Sequence, residues 1–542
     1  MKATEAKIAR REFLTSIGRA VGGSAMLRAM AALGIANTMS ACGSSSAAPS
    51  TAPVPPPPPP PPPGTALARP GDWPVNIGVG KTVVILGAGI AGMTTAFEIK
   101  KLGYSCTVLE AQTSAGGRNK TIRSGDIVDE TDSSQMCQFD LNNELYFNAG
   151  PSRIAHHHEF LLAYCREFGV ALETFTNSNQ GAWLHSPNAF NGQPQITKQV
   201  MADTRGNIAR LLSTAINQNA LDQELTAADK VNILQMLRLF GDLDQNSGYS
   251  GSSRAGFPGQ MDTGSRLRGQ QLTPLDLTEL VAEEFWELRS SFSQGFDQQP
   301  TMLQPVGGMD RIARAFEAEV LADTIFGAVV TEIRKTASGA RVVYNDMLGT
   351  PTSIDADYCV VSIPATVLTS IPNDFSAAHQ AEIANFTYSS AVRIAFQSRR
   401  FWEQDHNIYG GISWTDQDIT QIWYPSYGFG QANGIVLGAY IFDGPAGDAF
   451  TNQTPAQRIN STMTQASNVH PEFNGEASRG ISVAWKKMPF QLGAWGTSNA
   501  ATLLTPDANI VFAGEHLSIL QGWQEGAILS AYHAIDTVVS LT

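Results

Sequence analysis

A chain of 542 residues is longer than one hydrophobic core supports, so two or three domains are expected. With 43% hydrophobic and 16% charged residues the composition is globular. Thirty-six basic residues against 49 acidic ones give a net charge of -13, which argues against a nucleic-acid partner, since that would want a basic face.

The first 64 residues read as a leader and tether rather than as part of a folded body. Arg10-Arg11 precede Phe13-Leu14 and a weakly apolar, Gly- and Ala-rich run that Arg19 and Arg28 interrupt, so the run does not suit a membrane span. The paired arginines resemble a twin-arginine export signal, which implies export of a folded, cofactor-loaded protein to the periplasm, cell surface or medium. Met39-Ser40-Ala41-Cys42-Gly43 resembles a bacterial lipobox, with methionine where leucine is usual, and implies a lipid tether at Cys42. Nine prolines, Pro55–Pro63, follow as a stiff polyproline spacer. Residues 1–42 are therefore assigned to the export signal and 43–78 to a disordered linker.

Thr82–Leu86 is an apolar, mostly β-branched run of the kind a buried parallel strand requires. It leads into Gly87-Ala88-Gly89-Ile90-Ala91-Gly92, a GxGxxG turn, then a helical segment Ile90–Leu102 and a second strand Ser105–Leu109 that ends at Glu110-Ala111. Glycines there make the tight turn and let backbone approach a pyrophosphate at the helix N-terminus, while the acid accepts ribose hydroxyls. This is a dinucleotide site. Gly116-Gly117-Arg118 follow, where two glycines permit close approach and the arginine can meet phosphate charge. Cys106, Cys137, Cys165 and Cys359 lie mostly in apolar runs with no CxxC pair and read as buried thiols.

Gly150-Pro151-Ser152-Arg153 places an arginine just after a sharp corner; such a group either faces water or holds an anion. His156-His157-His158 opens a helix to about Phe168, and adjacent helical histidines diverge, so no metal is expected there. Residues 195–301 mix a helical period (230–243) with a turn-rich stretch (245–260) and read as an inserted helical domain. Near the C-terminus, strand Ile510–Ala513 leads to Gly514-Glu515, and a helix begins near Gln524, following Gly522-Trp523. Its N-terminus, with Ala527 in the first turn, can face the edge of a bound cofactor where reduction builds negative charge.

These motifs, with the segments at 304–316, 327–333 and 398–426, resemble the flavin monoamine oxidase family, most closely its L-amino-acid oxidases. The resemblance runs from about Lys81 to the C-terminus and is weakest between 195 and 300. It implies an α/β fold with a discontinuous, glutathione-reductase-like, Rossmann-like FAD domain (79–135, 302–388, 504–542), a mixed-sheet substrate domain (136–194, 389–503) and a helical insertion (195–301). It also implies FAD bound through the glycine motifs, Glu110, Arg118, the Gly150–Arg153 corner, the Val330 backbone and the Gly514-Glu515 return. Arg153 would grip the substrate carboxylate, and Tyr424 and Trp523 would form aromatic walls beside the flavin. Where the family usually has a lysine bridged by water to flavin N5, this chain has Arg393, and no cysteine follows Trp523, so FAD is expected to be non-covalent.

The implied activity is oxidative deamination of L-amino acids to 2-oxo acids, ammonia and hydrogen peroxide, by hydride transfer to flavin N5 with O2 as acceptor. The family commonly dimerises. The alternatives are an amine oxidase or dehydrogenase acting on a substrate without a carboxylate and using O2 or another acceptor, and a non-catalytic flavoprotein that binds ligands.

Overall fold

The computed structural model describes residues 68–257, 266, 269–282 and 292–542; the export signal, the lipobox and the proline spacer lie outside these residues. The expected linker reaches residue 78, but Trp73 within it is buried and packs edge-on against Tyr532 at 5.8 Å. A large apolar ring at this point is driven out of water, and the folded body therefore begins several residues earlier.

The elements that position the site are, in chain order, β1 (Thr82–Leu86), α1 (Ile90–Lys101), β2 (Ser105–Glu110), β3 (Ile127–Glu130), α2 (Glu159–Glu167), β4 (Trp183–His185), β5 (Gln195–Ile196), α3 (Thr197–Asn217) and α4 (Ala227–Gly241). There follow β6 (Thr324–Phe326), β7 (Tyr358–Val361), β8 (Val392–Arg399), α5 (Phe401–Gln404), β9 (Gly411–Thr415), β10 (Gln421–Tyr424) and β11 (Asn433–Ile441). Last come α6 (Pro455–Val469), α7 (Phe473–Glu476), β12 (Ser478–Ala484), β13 (Ile510–Phe512) and α8 (Gln524–Leu541).

Two sheets carry the architecture. The first is parallel, in the order β6-β2-β1-β7-β13, with Val83 to Leu86 paired in register to Tyr358 to Val361. Its strands come from three distant stretches of chain. Parallel strands need covered faces, and α1 and α8 supply one cover through Met93, Ala96 and Ile99 against Ile528 and Ile535. The second sheet is mixed, in the order β5-β4-β9-β10-β11-β8-β12. It separates two cores: Trp423 and Leu437 point to one, Tyr424 and Val436 to the other, as the two-residue period of a strand demands.

α3 and α4 form an antiparallel helical unit with a small core of its own around Ala209, Ile216, Leu237 and Leu243. α4 starts on a capping box in which Thr226 and Asp229 satisfy each other's backbone donors. No helix among the described residues is long and apolar enough to cross a membrane.

A buried ion pair ties the mixed sheet to its covering helix. The Arg458 guanidinium, on α6, donates to both Glu130 oxygens at 2.7 and 2.9 Å, and both side chains are wholly buried. Its Nε donates to the Phe450 carbonyl, while Glu130 also accepts the Ala484 N–H at the end of β12. Every charge is matched, so removing one partner is costly. Arg458→Met, which strands Glu130 in the core, is expected to lower stability in denaturant unfolding by about 3–5 kcal/mol. Adding Glu130→Gln should recover part of that loss.

Candidate functional site

One cavity of about 420 Å³ lies between the two sheets. On the parallel-sheet side it begins at the β1–α1 turn. A Cβ on Gly92 would lie 2.0 Å from the Gly87 carbonyl oxygen, so only glycine lets α1 start this close to the strand. A Cβ on Gly89 would meet nothing within 4 Å: its backbone faces open cavity. α1 begins at Gly89 with no side-chain cap and no acid in its first turn, which leaves the N-terminal N–H groups and the positive end of the helix dipole for an anion.

Glu110 closes this end. It is 5% exposed, its Oε2 accepts the Ala88 N–H at 2.7 Å and its Oε1 accepts the Gln112 N–H at 2.9 Å. Burial pushes its carboxyl above the usual range, against the downward pull of these bonds. Ala88 and Gly92 shape the turn without lining the cavity, whereas Gly87, Gly89, Ala91, Glu110, Ala111, Gly117, Arg118 and Val330 line it. Asn119 also lines it, and its Oδ1 is buried with no hydrogen-bond partner among the described residues. An open glycine face, an uncapped helix end and an orphaned acceptor together fit the phosphates and hydroxyls of a dinucleotide.

The Gly150–Arg153 corner enters from the mixed-sheet side. A Cβ on Gly150 would sit 1.8 Å from the Arg118 carbonyl oxygen, which presses this corner directly against the Gly116–Arg118 segment. Two buried side chains hold the corner. The Arg393 guanidinium, 3% exposed on β8, donates from Nη1 to the Asn148 carbonyl at 2.7 Å and to Ser152 Oγ at 2.5 Å, and stacks 3.7 Å over the Tyr440 ring. Trp485 Nε1 donates to the Ala149 carbonyl. With its corner fixed, Arg153 reaches the cavity wall. There its Nε and Nη2 donate to Gln298 Oε1 at 3.1 and 2.7 Å, and its guanidinium lies 4.8 Å from the Trp423 ring centre and 5.4 Å from that of Trp523.

Glu515 organises the third wall. Its Oε1 accepts from Arg118 Nη1 at 2.6 Å and from the Gly496 N–H at 3.2 Å, and its Oε2 accepts the Gly522 N–H at 2.8 Å. Gly496 follows Trp495 and Gly522 precedes Trp523, so one carboxylate fixes the backbone beside both rings. Trp495, Trp523, Tyr440 and Phe442 line the cavity, as do Pro151, Ser152, Gly514, Gln524 and Ala527.

Two expectations need correction. Tyr424 is not at the cavity wall: it is 2% exposed on the far face of β10, with its hydroxyl against Ser413 Oγ and His470 Nε2. Its neighbour Trp423 faces Arg153, and the cavity-lining partner of Trp523 is Trp495. Strand alternation turns a one-residue displacement into a change of face. The histidine run also differs: α2 begins at Glu159, so the three rings precede the helix, and ligand-type atoms of His157, His158 and Asp297 come within 4.8 Å of one another. Gln298, Phe292 and Trp495 were not anticipated. Only Trp495 left a trace, as an aromatic behind the small pair Gly493-Ala494.

A parallel sheet that cradles a dinucleotide, opening onto an aromatic chamber that holds two buried arginines, defines a cofactor-dependent oxidoreductase. Residues 90–539 match the model of the flavin-containing amine oxidoreductases, and the chain belongs to that family. Its fold is accordingly the glutathione-reductase-like architecture of the flavin amine oxidases, and its cofactor is a flavin. Among its relatives, the flavin-dependent L-tryptophan oxidase of Lentzea aerocolonigenes is 26% identical over 84% of this chain and 98% of its own. The L-amino-acid oxidase of Echis ocellatus is 24% identical over 84% and 89%. Among solved structures, the cyclohexylamine oxidase of Brevibacterium oxydans IH-35A superposes with a TM-score of 0.55 at 14% identity, over 85% of this chain and 99% of its own. A putrescine oxidase bound to putrescine gives 0.54 at 15% identity over the same shares.

Two substitutions probe the site. Glu515→Gln sets an amide NH2 against at least one of the N–H donors now satisfied, so the purified variant should hold several-fold less flavin per chain and lose about 1–3 kcal/mol of stability. His158 is wholly buried, 4.9 Å from the Trp523 ring, and neither ring nitrogen has a hydrogen-bond partner among the described residues. Burial, then the neighbouring His157, His156 and Arg153, push its imidazole down to about 3. The unfolded imidazole takes a proton near 6.5 and the folded one does not, so this group withdraws stability as pH falls from about 6.5 toward 3. In His158→Leu the plot of unfolding free energy against pH, between about pH 6 and 4, should be shallower by up to about 1.4 kcal/mol per unit.

Proposed function

We propose that this protein is an FAD-dependent L-amino-acid oxidase that holds its FAD non-covalently and forms a 2-oxo acid, ammonia and hydrogen peroxide. The observation that carries this reading is Arg153 at the cavity wall, set among Trp423, Trp523 and Phe292 by a corner that has no freedom to move. A guanidinium in such a chamber pairs with a planar carboxylate through two parallel hydrogen bonds. The names of the sequence relatives, oxidases of L-tryptophan and of L-amino acids, support the same substrate class. None of the four described cysteines lines the cavity, which supports a non-covalent cofactor.

The flavin, when bound, supplies the two-electron acceptor for oxidation of the amine-bearing carbon. The chain's own residues bind, orient and exclude water. Arg153 fixes the carboxylate end of the substrate and so limits the α-carbon to one approach; Trp495 and Trp523, both at the cavity wall, shield the reacting centre from solvent. Arg393 keeps the corner in place, its guanidinium already engaged with Asn148, Ser152 and Tyr440. The leader at Arg10-Arg11 and the cysteine at Cys42 support delivery of the loaded enzyme to the cell exterior on a lipid tether.

A second reading, a flavin amine oxidase or dehydrogenase acting on an amine without a carboxylate, draws on one observation. Gln298 already occupies Nε and Nη2 of Arg153. Anaerobic mixing separates the two. L-Amino acids are expected to bleach the flavin and their decarboxylated analogues are not; bleaching by the analogues alone would establish the second reading. Arg153→Ala should raise KM for amino acids about 10- to 100-fold, the effect of one lost charge-assisted pair, and retain flavin. Loss of flavin from that variant would mean that Arg153 serves the cofactor instead. Comparing peroxide release with dye reduction in the same assays identifies the acceptor that Arg393 permits.

A further inference from the structure

Behind the mixed sheet, on the face opposite the cavity, three side chains converge that the proposed reaction does not use. His406 lies in the turn after α5, and His470 and Glu472 lie in the link between α6 and α7. Each offers one ligand atom, and these atoms all fall within 4.8 Å of one another. His470 is 0% exposed, and its Nε2 is committed to the Tyr424 hydroxyl at 2.5 Å, which is itself bonded to Ser413 Oγ at 2.6 Å. That leaves His470 Nδ1 buried with no hydrogen-bond partner among the described residues.

The other two residues repeat the pattern. Among the described residues, His406 Nε2 and Glu472 Oε2 are buried atoms with no hydrogen-bond partner, although His406 Nε2 faces Glu472 Oε1 at 3.3 Å, an ion pair when the imidazole is protonated. Trp183 packs against both imidazoles, with ring centres 5.2 and 5.4 Å away. Buried polar atoms without hydrogen bonds are unfavourable, and native folds rarely tolerate three in one cluster. A single cation satisfies all three.

We propose that His406, His470 and Glu472 form a structural site for a divalent metal ion of the zinc class. Two imidazole nitrogens and a carboxylate oxygen are a zinc-type donor set, and the 3.3 Å between His406 Nε2 and Glu472 Oε1 is close to the spacing of two ligands at about 2.0–2.1 Å from a tetrahedral ion. The pair Tyr424–Ser413 supplies the outer support that metal-bound histidines ordinarily have: it engages His470 Nε2 and leaves Nδ1 as the nitrogen available to the ion. The His406 and Glu472 side chains are 17% and 34% exposed, so the ion enters from solvent and water completes its coordination. Bound there, it clamps the α5 turn and the α6–α7 link to each other behind β10, the strand whose opposite face presents Trp423 to Arg153. The histidine run at 156–158, where sequence reading looked for a metal and rejected one, is a different place.

The test uses the full-length flavin-loaded protein, stripped with a chelator and dialysed against zinc sulfate or against buffer. Elemental analysis should find about one zinc per wild-type chain, and the thermal unfolding midpoint should rise with zinc. His406→Gln and Glu472→Gln, both at partly exposed positions, should lose the bound zinc and the rise in midpoint, and their unchanged flavin content will report an intact fold. Tyr424→Phe should weaken zinc affinity about 10- to 100-fold. The proposal fails if wild type retains no more zinc than His406→Gln, or if zinc raises the midpoint equally in wild type and both variants.

Discussion

The site rests on one carboxylate. Glu515 accepts the Arg118 guanidinium with one oxygen and the Gly522 N–H with the other, while Gly496 leans on the first. Arg118 belongs to the segment after β2, Gly496 to the chain after β12, and Gly522 to the turn before α8. Three stretches that are not contiguous in the chain therefore share one charge, at 7% exposure, where little water competes for it. The two tryptophans that wall the cavity inherit their positions from this arrangement. Moving either ring means breaking a bond to a buried anion, which is why aromatic walls built on turns can be rigid.

Arg393 does for the substrate side what Glu515 does for the cofactor side. It crosses from β8 to the Asn148–Ser152 corner and lies flat on Tyr440, so its charge is delocalised over a ring face and neutral acceptors. Both hydrogen bonds leave from Nη1, and the rest of the planar guanidinium is left to sit over the Tyr440 ring, a contact for which a compact ammonium has no matching face. Gly150 makes the brace effective: a Cβ there would lie 1.8 Å from the Arg118 carbonyl oxygen, so only glycine lets the corner pack this closely.

Local signals were legible and pairings across the chain were not. β1, α1 and β2 fall within a residue of where the glycine motif and the apolar period place them, since strand, turn and helix are contiguous and each glycine has a local reason. α8 likewise starts at Gln524. Tyr424 shows the opposite case. The segment 398–426 carried the resemblance that put Tyr424 beside the flavin, but which of Trp423 and Tyr424 faces inward depends on the register of β9 and β11 beside β10. Gln298 could not have been found at all: it lies 145 positions from Arg153 and carries no pattern. The histidines at 156–158 were expected to open a helix, but the helix begins at Glu159, so the divergence of adjacent helical side chains does not describe their rings.

The two faces of β10 link the chamber to the polar cluster behind the sheet. Trp423 and Tyr424 are consecutive, and their side chains diverge by the pleat alone. Toward the cavity, Trp423 offers its ring to the Arg153 guanidinium. Away from it, the Tyr424 hydroxyl joins Ser413 and His470 in a buried polar chain. A shift of β10 along its neighbours would disturb both, because strand register moves all side chains together. The hydrogen bonds behind the sheet therefore constrain the chamber in front of it without touching substrate or cofactor. The aromatic surface against which Arg153 lies is held from the back, by polar atoms that the reaction never meets.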